Sequence, residues 1–201
     1  FTKSPTKSRI HRPAYSDYIA IKCFDAKGKL SGEHRFLGLY TSSVYYQSTT
    51  LIPVVRRKID AVLRRSGLHR GSHDWKELQQ ILEIYPRDDL FQVATDDLYA
   101  TAMGILHIHE RRRTRVFIRR DLYGRYYSCL VYTPRDVYST DFRVRVQAIL
   151  SEELNSENVE FNTHFSESIL ARTQFVLHVD SHGVDRPIDV RAIEKRVIQA
   201  A

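Results

Sequence analysis

Several features that define common classes of enzyme and membrane protein are scarce or missing in this sequence. Only eight of its 201 residues are glycine, and none of them forms the G-x-G-x-x-G or phosphate-loop pattern that cradles nucleotide phosphates. We therefore expect no nicotinamide or nucleotide site within this chain. No apolar run approaches the roughly 18 residues that a membrane helix needs. The first residues are polar and basic, and they lack the apolar stretch of a secretory signal.

Cysteine is equally scarce. The chain has two, Cys23 and Cys129, which are too few for a disulfide scaffold and too far apart for a metal-binding pair. Nine histidines are present, but His107 and His109 are spaced to point to different sides of a helix, and no H-E-x-x-H motif occurs. We expect no metal site, an inert Cys129 thiol, and a reducing, cytoplasmic environment.

The sequence does contain enough apolar material for a packed core, together with an excess of positive charge. Hydrophobic residues make up 42% of the chain and charged residues 27%, which is typical of a globular protein. The 31 Lys and Arg residues exceed the 24 Asp and Glu residues, for a formal net charge of +7. Nucleic acid, anionic surfaces and acidic proteins are therefore candidate partners. Because the chain begins without Met, we expect a piece of a longer protein.

The first part of the chain predicts a β-hairpin followed by helices. Residues 18–24 and 34–40 are β-rich runs on either side of a turn. Residues 52–63 and 72–85 repeat apolar side chains at helical spacing. A hairpin with two helices is too small to bury a core of its own.

From residue 87 onward, strands and helices alternate. Strands are predicted at residues 90–94, 115–120, 126–133, 159–165 and 173–179, and helices at residues 95–109, 140–154 and 190–197. Taken in chain order, the first six elements, from residue 90 to residue 165, are strand, helix, strand, strand, helix and strand. This order predicts an α+β fold of the ferredoxin-like type, with an antiparallel sheet and both helices on one face.

The strand at residues 115–120 carries the candidate site. Because successive side chains of a strand point to opposite faces of the sheet, we expect Val116 and Ile118 to face the helices. The same alternation leaves Arg115, Phe117 and Arg119 on the open side of the sheet. A phenylalanine between two arginines is typical of a contact surface, so we expect these side chains to bind a neighbouring module or a sister subunit. In the simpler alternative, Phe117 packs only beneath the arginine side chains.

A second interpretation comes from the arginines and tyrosines that crowd around this hairpin. A ferredoxin-like sheet with such a face is how an RNA-recognition motif binds RNA, by base stacking and phosphate contacts. However, the aromatic and small residues of residues 124–132 are out of register with the pattern of that module. Nucleic acid is therefore the less favoured partner.

Seven stretches of the sequence resemble the large bacterial NAD-specific glutamate dehydrogenases. They are SRIHRPAYSDY at 8–18, EHRFLGLYT at 33–41, YPRDDLF at 85–91, GILH at 104–107, RVFIRRD at 115–121, YGR at 123–125 and SCLVY at 128–132. These stretches follow one another in order over most of residues 8–136.

The resemblance implies a place in the long N-terminal regulatory segment of such a subunit, with no catalytic residue and no cofactor site in this piece. The parent would oxidise glutamate to 2-oxoglutarate and ammonia with NAD. Residues 17–68 would end a PAS-like module and residues 87–180 would form an ACT-like domain. Residues 1–16, 69–86 and 181–201 would be an extended segment, a linking helix and a trailing helix. The implied partners are other modules of the same subunit, sister subunits and a small-molecule effector of unknown identity.

Overall fold

The computed structural model describes residues 1–10, 13–109, 112–166, 168–179 and 187–201. Some of the positions used above lie outside these ranges. They are His11 and Arg12 of the first stretch that carries the resemblance, and residues 181–186 at the start of the predicted trailing segment.

A three-stranded antiparallel sheet comes first. Its strands are β1 (Thr2–Lys7), β2 (Tyr15–Phe24) and β3 (Leu30–Gly38), in the spatial order β1-β2-β3. The β2–β3 hairpin confirms the sequence prediction. Its turn is held by the Asp25 carboxylate, which accepts hydrogen bonds from the backbone N–H groups of Lys27 and Lys29. Gly28 has a φ of +76° in this turn, a conformation that glycine adopts without strain.

Five helices and a 3₁₀ turn follow. They are α1 (Ser42–Tyr46), the 3₁₀ turn (Thr49–Leu51), α2 (Pro53–Arg65), α3 (His73–Glu83), α4 (Arg87–Gln92) and α5 (Thr95–His109). The Ser72 hydroxyl caps α3 by accepting a hydrogen bond from the backbone N–H of Trp75. The apolar sides of α2, α3 and α5 meet in one core that includes Val55, Ile59, Leu78, Leu82, Leu98 and Ile105. Within the described ranges, no helix is both long and apolar enough to span a membrane.

The second sheet has four strands and two further helices. They are β4 (Arg115–Arg120), β5 (Tyr126–Pro134), α6 (Thr140–Leu154), β6 (Asn158–Phe165), β7 (Leu170–His178) and α7 (Val190–Gln199). The spatial order of the strands is β4-β5-β7-β6, and every neighbouring pair is antiparallel. This sheet confirms the α+β, ferredoxin-like class. Its chain order, ββαββα, is the predicted βαββαβ order with the first strand and helix moved to the end.

The predicted strand at residues 90–94 is wrong. This segment belongs largely to α4, which begins directly after Pro86 and has Asp88 and Asp89 in its first turn. Acidic side chains are favourable there because the helix N-terminus carries partial positive charge. The spacing of apolar residues could not distinguish a strand from a helix here, because a short apolar run fits a strand as well as a helical turn. The place of that strand in the sheet is taken by β7.

The sheet has two helices on one face as expected, but the prediction that the helix at residues 95–109 is one of them is wrong. Helices α6 and α7 cover one face and pack on a core that includes Cys129, Phe175 and Leu177. Helix α5 instead packs with α2 and α3 on the opposite face, where Leu130 and Tyr132 of β5 join the helical core. The sheet is therefore covered on both faces. The alternation of side chains along a strand shows only that the two faces of the sheet differ. It does not show which helices cover each face.

A polar cleft between the sheet and the helices

Asp89 lies at the centre of a buried polar cluster between α4 and the four-stranded sheet. Its carboxylate accepts hydrogen bonds from Arg119 of β4, from Ser128 of β5 and from Gln174 of β7, the last at 3.1 Å. Asp89 itself is only 4% exposed. One side chain of a short helix thus holds three neighbouring strands, and hydrogen bonds offset the cost of burying its charge.

Gln92, three residues further along α4, extends this cluster. Its side-chain oxygen accepts hydrogen bonds from the Tyr126 hydroxyl and, at 3.3 Å, from the Arg119 guanidinium. Burial opposes the charge on Arg119, but the Asp89 carboxylate and Tyr126 favour it more strongly, so the pKa of Arg119 lies above its ordinary value. The cluster therefore keeps a permanently charged guanidinium paired inside the protein.

The structure places the three predicted contact residues in two different settings. Phe117 and Arg119 face α5 and α4: a Cβ added at Gly104 of α5 would lie 2.7 Å from the Phe117 ring. Arg115 instead contacts Glu194 of α7, with 3.3 Å between Nε and Oε2. The side of the sheet that was expected to be open is occupied at Phe117 and Arg119 by the helices of the chain itself.

Packing on both faces of the sheet removes the surface on which the RNA-binding interpretation depended. Tyr126, Tyr127 and Tyr132 of β5 are 3%, 8% and 3% exposed. Base stacking needs aromatic rings that a nucleic acid can reach. These tyrosines are part of the interior.

A cleft of about 510 Å³ opens beside the Asp89 cluster. It lies between β1 and β2, the α3–α4 connection, and strands β6 and β7. Its polar and charged lining includes Lys3, Tyr15, Glu83, Arg87, Asp88, Glu160, Asn162, His164, Arg172, Gln174 and His178. A cleft of this size is within the range that small-molecule ligands occupy.

Ion pairs and an aromatic stack attach the N-terminal sheet at one end of this cleft. The Lys3 ammonium lies 2.6 Å from the Asp17 carboxylate and 2.7 Å from that of Asp88 on α4. The Tyr15 ring stacks on the His178 ring of β7 with 3.8 Å between the ring centroids. These contacts involve β1 and the beginning of β2, so they leave the rest of the hairpin outside the cleft.

Two arginines in the cleft lack a full set of acceptors. Arg172 of β7 donates to the backbone carbonyl of Ile84, and Arg87 donates to the carbonyl of Gln47 and, at 3.4 Å, to the Glu83 carboxylate. Nη1 of Arg87 and Nε of Arg172 are buried and have no hydrogen-bond partner among the described residues. Burial lowers the pKa of Arg172 from its ordinary value.

The Cys129 thiol lies on the other face of the sheet from the cleft, in the core beneath α6 and α7. Burial, and to a smaller extent Asp89, raises the pKa of the Cys129 thiol, so the thiolate that a nucleophile needs is disfavoured. No group of three or more His, Cys, Asp and Glu side chains in the described part of the chain could hold a metal ion. What the cleft offers is a set of hydrogen-bonding and charged groups.

Asp89, Arg172 and Gln174 were not predicted from the sequence to belong to one site. A signal was available in β7, where Arg172 and Gln174 alternate with the buried Thr173 and Phe175. Such alternation is ordinarily explained by a solvated sheet face. Only the placement of α4 over that face shows that these polar side chains are enclosed.

This fold and this cleft define a class of protein: an α+β domain of the ferredoxin-like type, joined to a helical module that covers part of its free sheet face. Comparison with known families matches each part separately. Residues 115–201 match the glutamate dehydrogenase ACT2 domain, and residues 52–111 match the glutamate dehydrogenase helical motif 1.

Longer proteins that contain a similar segment are also known. The chain is 49% identical over 203 aligned positions to the NAD-specific glutamate dehydrogenase of Halomonas elongata and 51% identical over 201 to that of Pseudomonas aeruginosa. Each alignment covers 100% of this chain and 12% of the relative. The Mycobacterium tuberculosis NAD-specific glutamate dehydrogenase is 30% identical over 173 residues, covering 83% of this chain and 11% of that protein. The chain is therefore similar along its full length to one segment of these NAD-specific glutamate dehydrogenases, and it spans about an eighth of their length.

Proposed function

We propose that this chain is a non-catalytic regulatory and assembly region of an NAD-dependent glutamate dehydrogenase. The parent would oxidise glutamate to 2-oxoglutarate and ammonia by transferring a hydride to NAD, which would bind in another part of the longer subunit. The support is the match to an ACT2 domain and a helical motif, within a segment that makes up 12% of each of two relatives. We propose the cytoplasm as its location.

The observation that carries the assembly role is the exposure of the β2–β3 hairpin. Every residue of β3 is exposed, and within the described chain β3 pairs with β2 alone. Ile21, Phe36 and Leu37 are 54%, 54% and 65% exposed. A long, unpaired edge with apolar side chains on both faces invites a further strand, and soluble proteins rarely leave one uncovered.

The covering partner in this proposal is another part of the same longer subunit. Residues 17–68 would then complete a PAS-like module whose remaining strands lie outside this chain, and residues 87–180 would supply most of the ACT-like domain. Sister subunits would contact the assembled module. An effector would change activity by binding one arrangement of these modules more tightly than another.

Hydrogen exchange of the full-length subunit, compared with this chain alone, tests the proposal. We expect the backbone N–H groups on the free edge of β3 to exchange rapidly in the isolated chain and to be protected in the full-length protein. Equal and rapid exchange in both would contradict the assembly role.

A matched pair of variants adds a second measurement. Leu37→Asp alters the hairpin, whereas Leu122→Asp alters an equally apolar residue that is 83% exposed in the β4–β5 turn. Both variants should leave the stability of the isolated chain nearly unchanged. In the full-length enzyme, Leu37→Asp should lower activity or disrupt assembly, and Leu122→Asp should do neither.

A further inference from the structure

We propose that the cleft beside Asp89 binds a small carboxylate anion, with the Arg172 guanidinium as its principal contact and Arg87 beside it. The proposal names a ligand class for the regulatory role given above and rests on that role. The binding itself, however, belongs to this chain and can be measured without the rest of the subunit.

The first step of the argument is that the carboxylates of the cleft already have partners. Both oxygens of Glu83 accept hydrogen bonds from the backbone N–H of Thr49. Asp88 accepts from Lys3 and from the Tyr45 hydroxyl. The two remaining carboxylates are similarly engaged, Asp89 with Arg119 and Glu160 with Lys7. These groups are therefore not the counter-charges of the cleft arginines, apart from the long contact between Glu83 and Arg87.

The second step is that Arg172 has no such partner. A guanidinium has five N–H donors, and the acceptor that the structure shows for Arg172 is the Ile84 carbonyl, with the Tyr132 side chain nearby. No carboxylate of the described residues lies within 4.0 Å of it. Arg87 is 9% exposed at its side chain and has one nitrogen without an acceptor. A largely buried cation without a counter-charge is costly, and an oxyanion would remove that cost with fork-shaped hydrogen bonds.

The third step favours a carboxylate over a phosphate. Four carboxylates line the cleft. A phosphate would bring two negative charges to one point among them, whereas a dicarboxylate separates its two charges along a carbon chain, so the repulsion is weaker. The lining also includes Leu39, Phe161 and Val176, which suit a short carbon chain. Both features fit a small organic acid in a volume of about 510 Å³.

Isothermal titration of this chain with malonate, succinate and glutarate, at constant ionic strength, tests the site. Inorganic phosphate is the comparison anion and chloride is the control. We expect saturable binding of at least one dicarboxylate, weaker binding of phosphate and none of chloride. Binding of phosphate alone would overturn the carboxylate assignment, and equal heats for all anions would overturn the site.

Variants then locate the binding. Arg172→Gln should weaken dicarboxylate binding at least tenfold, as the loss of a charge-assisted pair does, and Arg172→Lys should restore only part of it. Arg56→Gln, on the exposed side of α2, is the matched control and should bind as the wild type does. Unchanged binding by a folded Arg172→Gln variant would contradict the proposal.

The wild type alone provides a readout if the Arg172 variants fail to fold. His164 pairs with Arg172 across β6 and β7, and burial together with Arg172 lowers its pKa. An anion bound at Arg172 should therefore move the NMR titration of His164 to higher pH. An unmoved titration at saturating dicarboxylate would overturn the site. None of these measurements involves the hairpin. A result that overturns the anion site would therefore leave the assembly role standing, and the hydrogen-exchange experiment can contradict the assembly role without affecting the anion site.

Discussion

Strands β5 and β3 are both nine residues long and both antiparallel, yet every residue of β5 is buried and every residue of β3 is exposed. β5 lies inside its sheet between β4 and β7, with helices on both faces. β3 forms the edge of the N-terminal sheet. Both strands carry large apolar side chains, which in β3 are Leu30, Phe36 and Leu37.

This contrast shows that the chain contains two kinds of structure. The helical motif and the four-stranded sheet complete each other, because α4 and α5 occupy the face that α6 and α7 leave free. The hairpin has no equivalent cover among the described residues. Its apolar side chains are explained if the surface they need is supplied by a segment outside this chain.

A matched pair of phenylalanine substitutions gives the largest expected difference. Phe175 of β7 is 0% exposed and Phe36 of β3 is 54% exposed. Phe175→Ala should destabilise the isolated chain by about 3–5 kcal/mol, because a buried ring leaves a cavity. Phe36→Ala should cost less than about 1 kcal/mol. Denaturant unfolding of both variants measures this, and similar losses would show that the hairpin is covered in the isolated chain.

The ion pair between Asp89 and Arg119 should have the next largest effect. Asp89→Ala leaves a largely buried guanidinium without its carboxylate, which we expect to cost about 3 kcal/mol or more. Adding Arg119→Met should recover part of this loss, because the unpaired charge is then removed. Asp96→Ala is the control: Asp96 pairs with Arg65 at the surface, with side chains 86% and 52% exposed, so its loss should be below about 1 kcal/mol. Additive losses for Asp89 and Arg119 would contradict the coupling.

Much of the fold could be predicted from the sequence because most of its elements carry strong local signals. Ser139 caps α6 and Asp189 caps α7, each by a side chain that accepts backbone hydrogen bonds. Regular apolar spacing defined α2, α3 and α6, and β-rich runs defined β2 through β7. These signals depend on residues close together in the chain, so a single sequence displays them.

The candidate site could not be predicted, because it depends on which elements meet. The sequence correctly placed Arg119 on the face opposite Val116. Its partner Asp89 lies 30 residues earlier, on a helix whose second half was predicted as a strand. Arg172 was not singled out, since an arginine on a strand is ordinarily solvated. Placing β7 between β5 and β6, with α4 above it, is long-range information that hydrophobic periodicity does not contain.

A substitution at Gly104 shows whether the packing of α5 on β4 holds in solution. If the Phe117 face were open, Gly104→Ala would stabilise the helix by about 0.5–1 kcal/mol, because alanine is the better helix former. In the structure, the new Cβ would lie 2.7 Å from the Phe117 ring. We therefore expect a loss of about 1–3 kcal/mol from overpacking. Phe117→Leu in the Gly104→Ala background should relieve part of this loss, and a stabilised Gly104→Ala variant would restore the prediction of an open face.

The smallest expected effect is a dependence on pH at the junction of the two sheets, where His178 stacks on Tyr15. Burial lowers the pKa of His178; Glu160 opposes this shift, and Lys7 and Lys3 add to it, so the folded value lies below the ordinary 6.5. As the pH falls through 6.5, the unfolded state takes up this proton first, and stability should decrease down to the folded pKa. His178→Phe keeps a ring against Tyr15 but does not titrate. Between pH 7.5 and 5.5, the melting temperature should therefore fall less in His178→Phe than in the wild type. If the melting temperatures of the two proteins fall in parallel, His178 is already solvated and its ring is free of the N-terminal sheet.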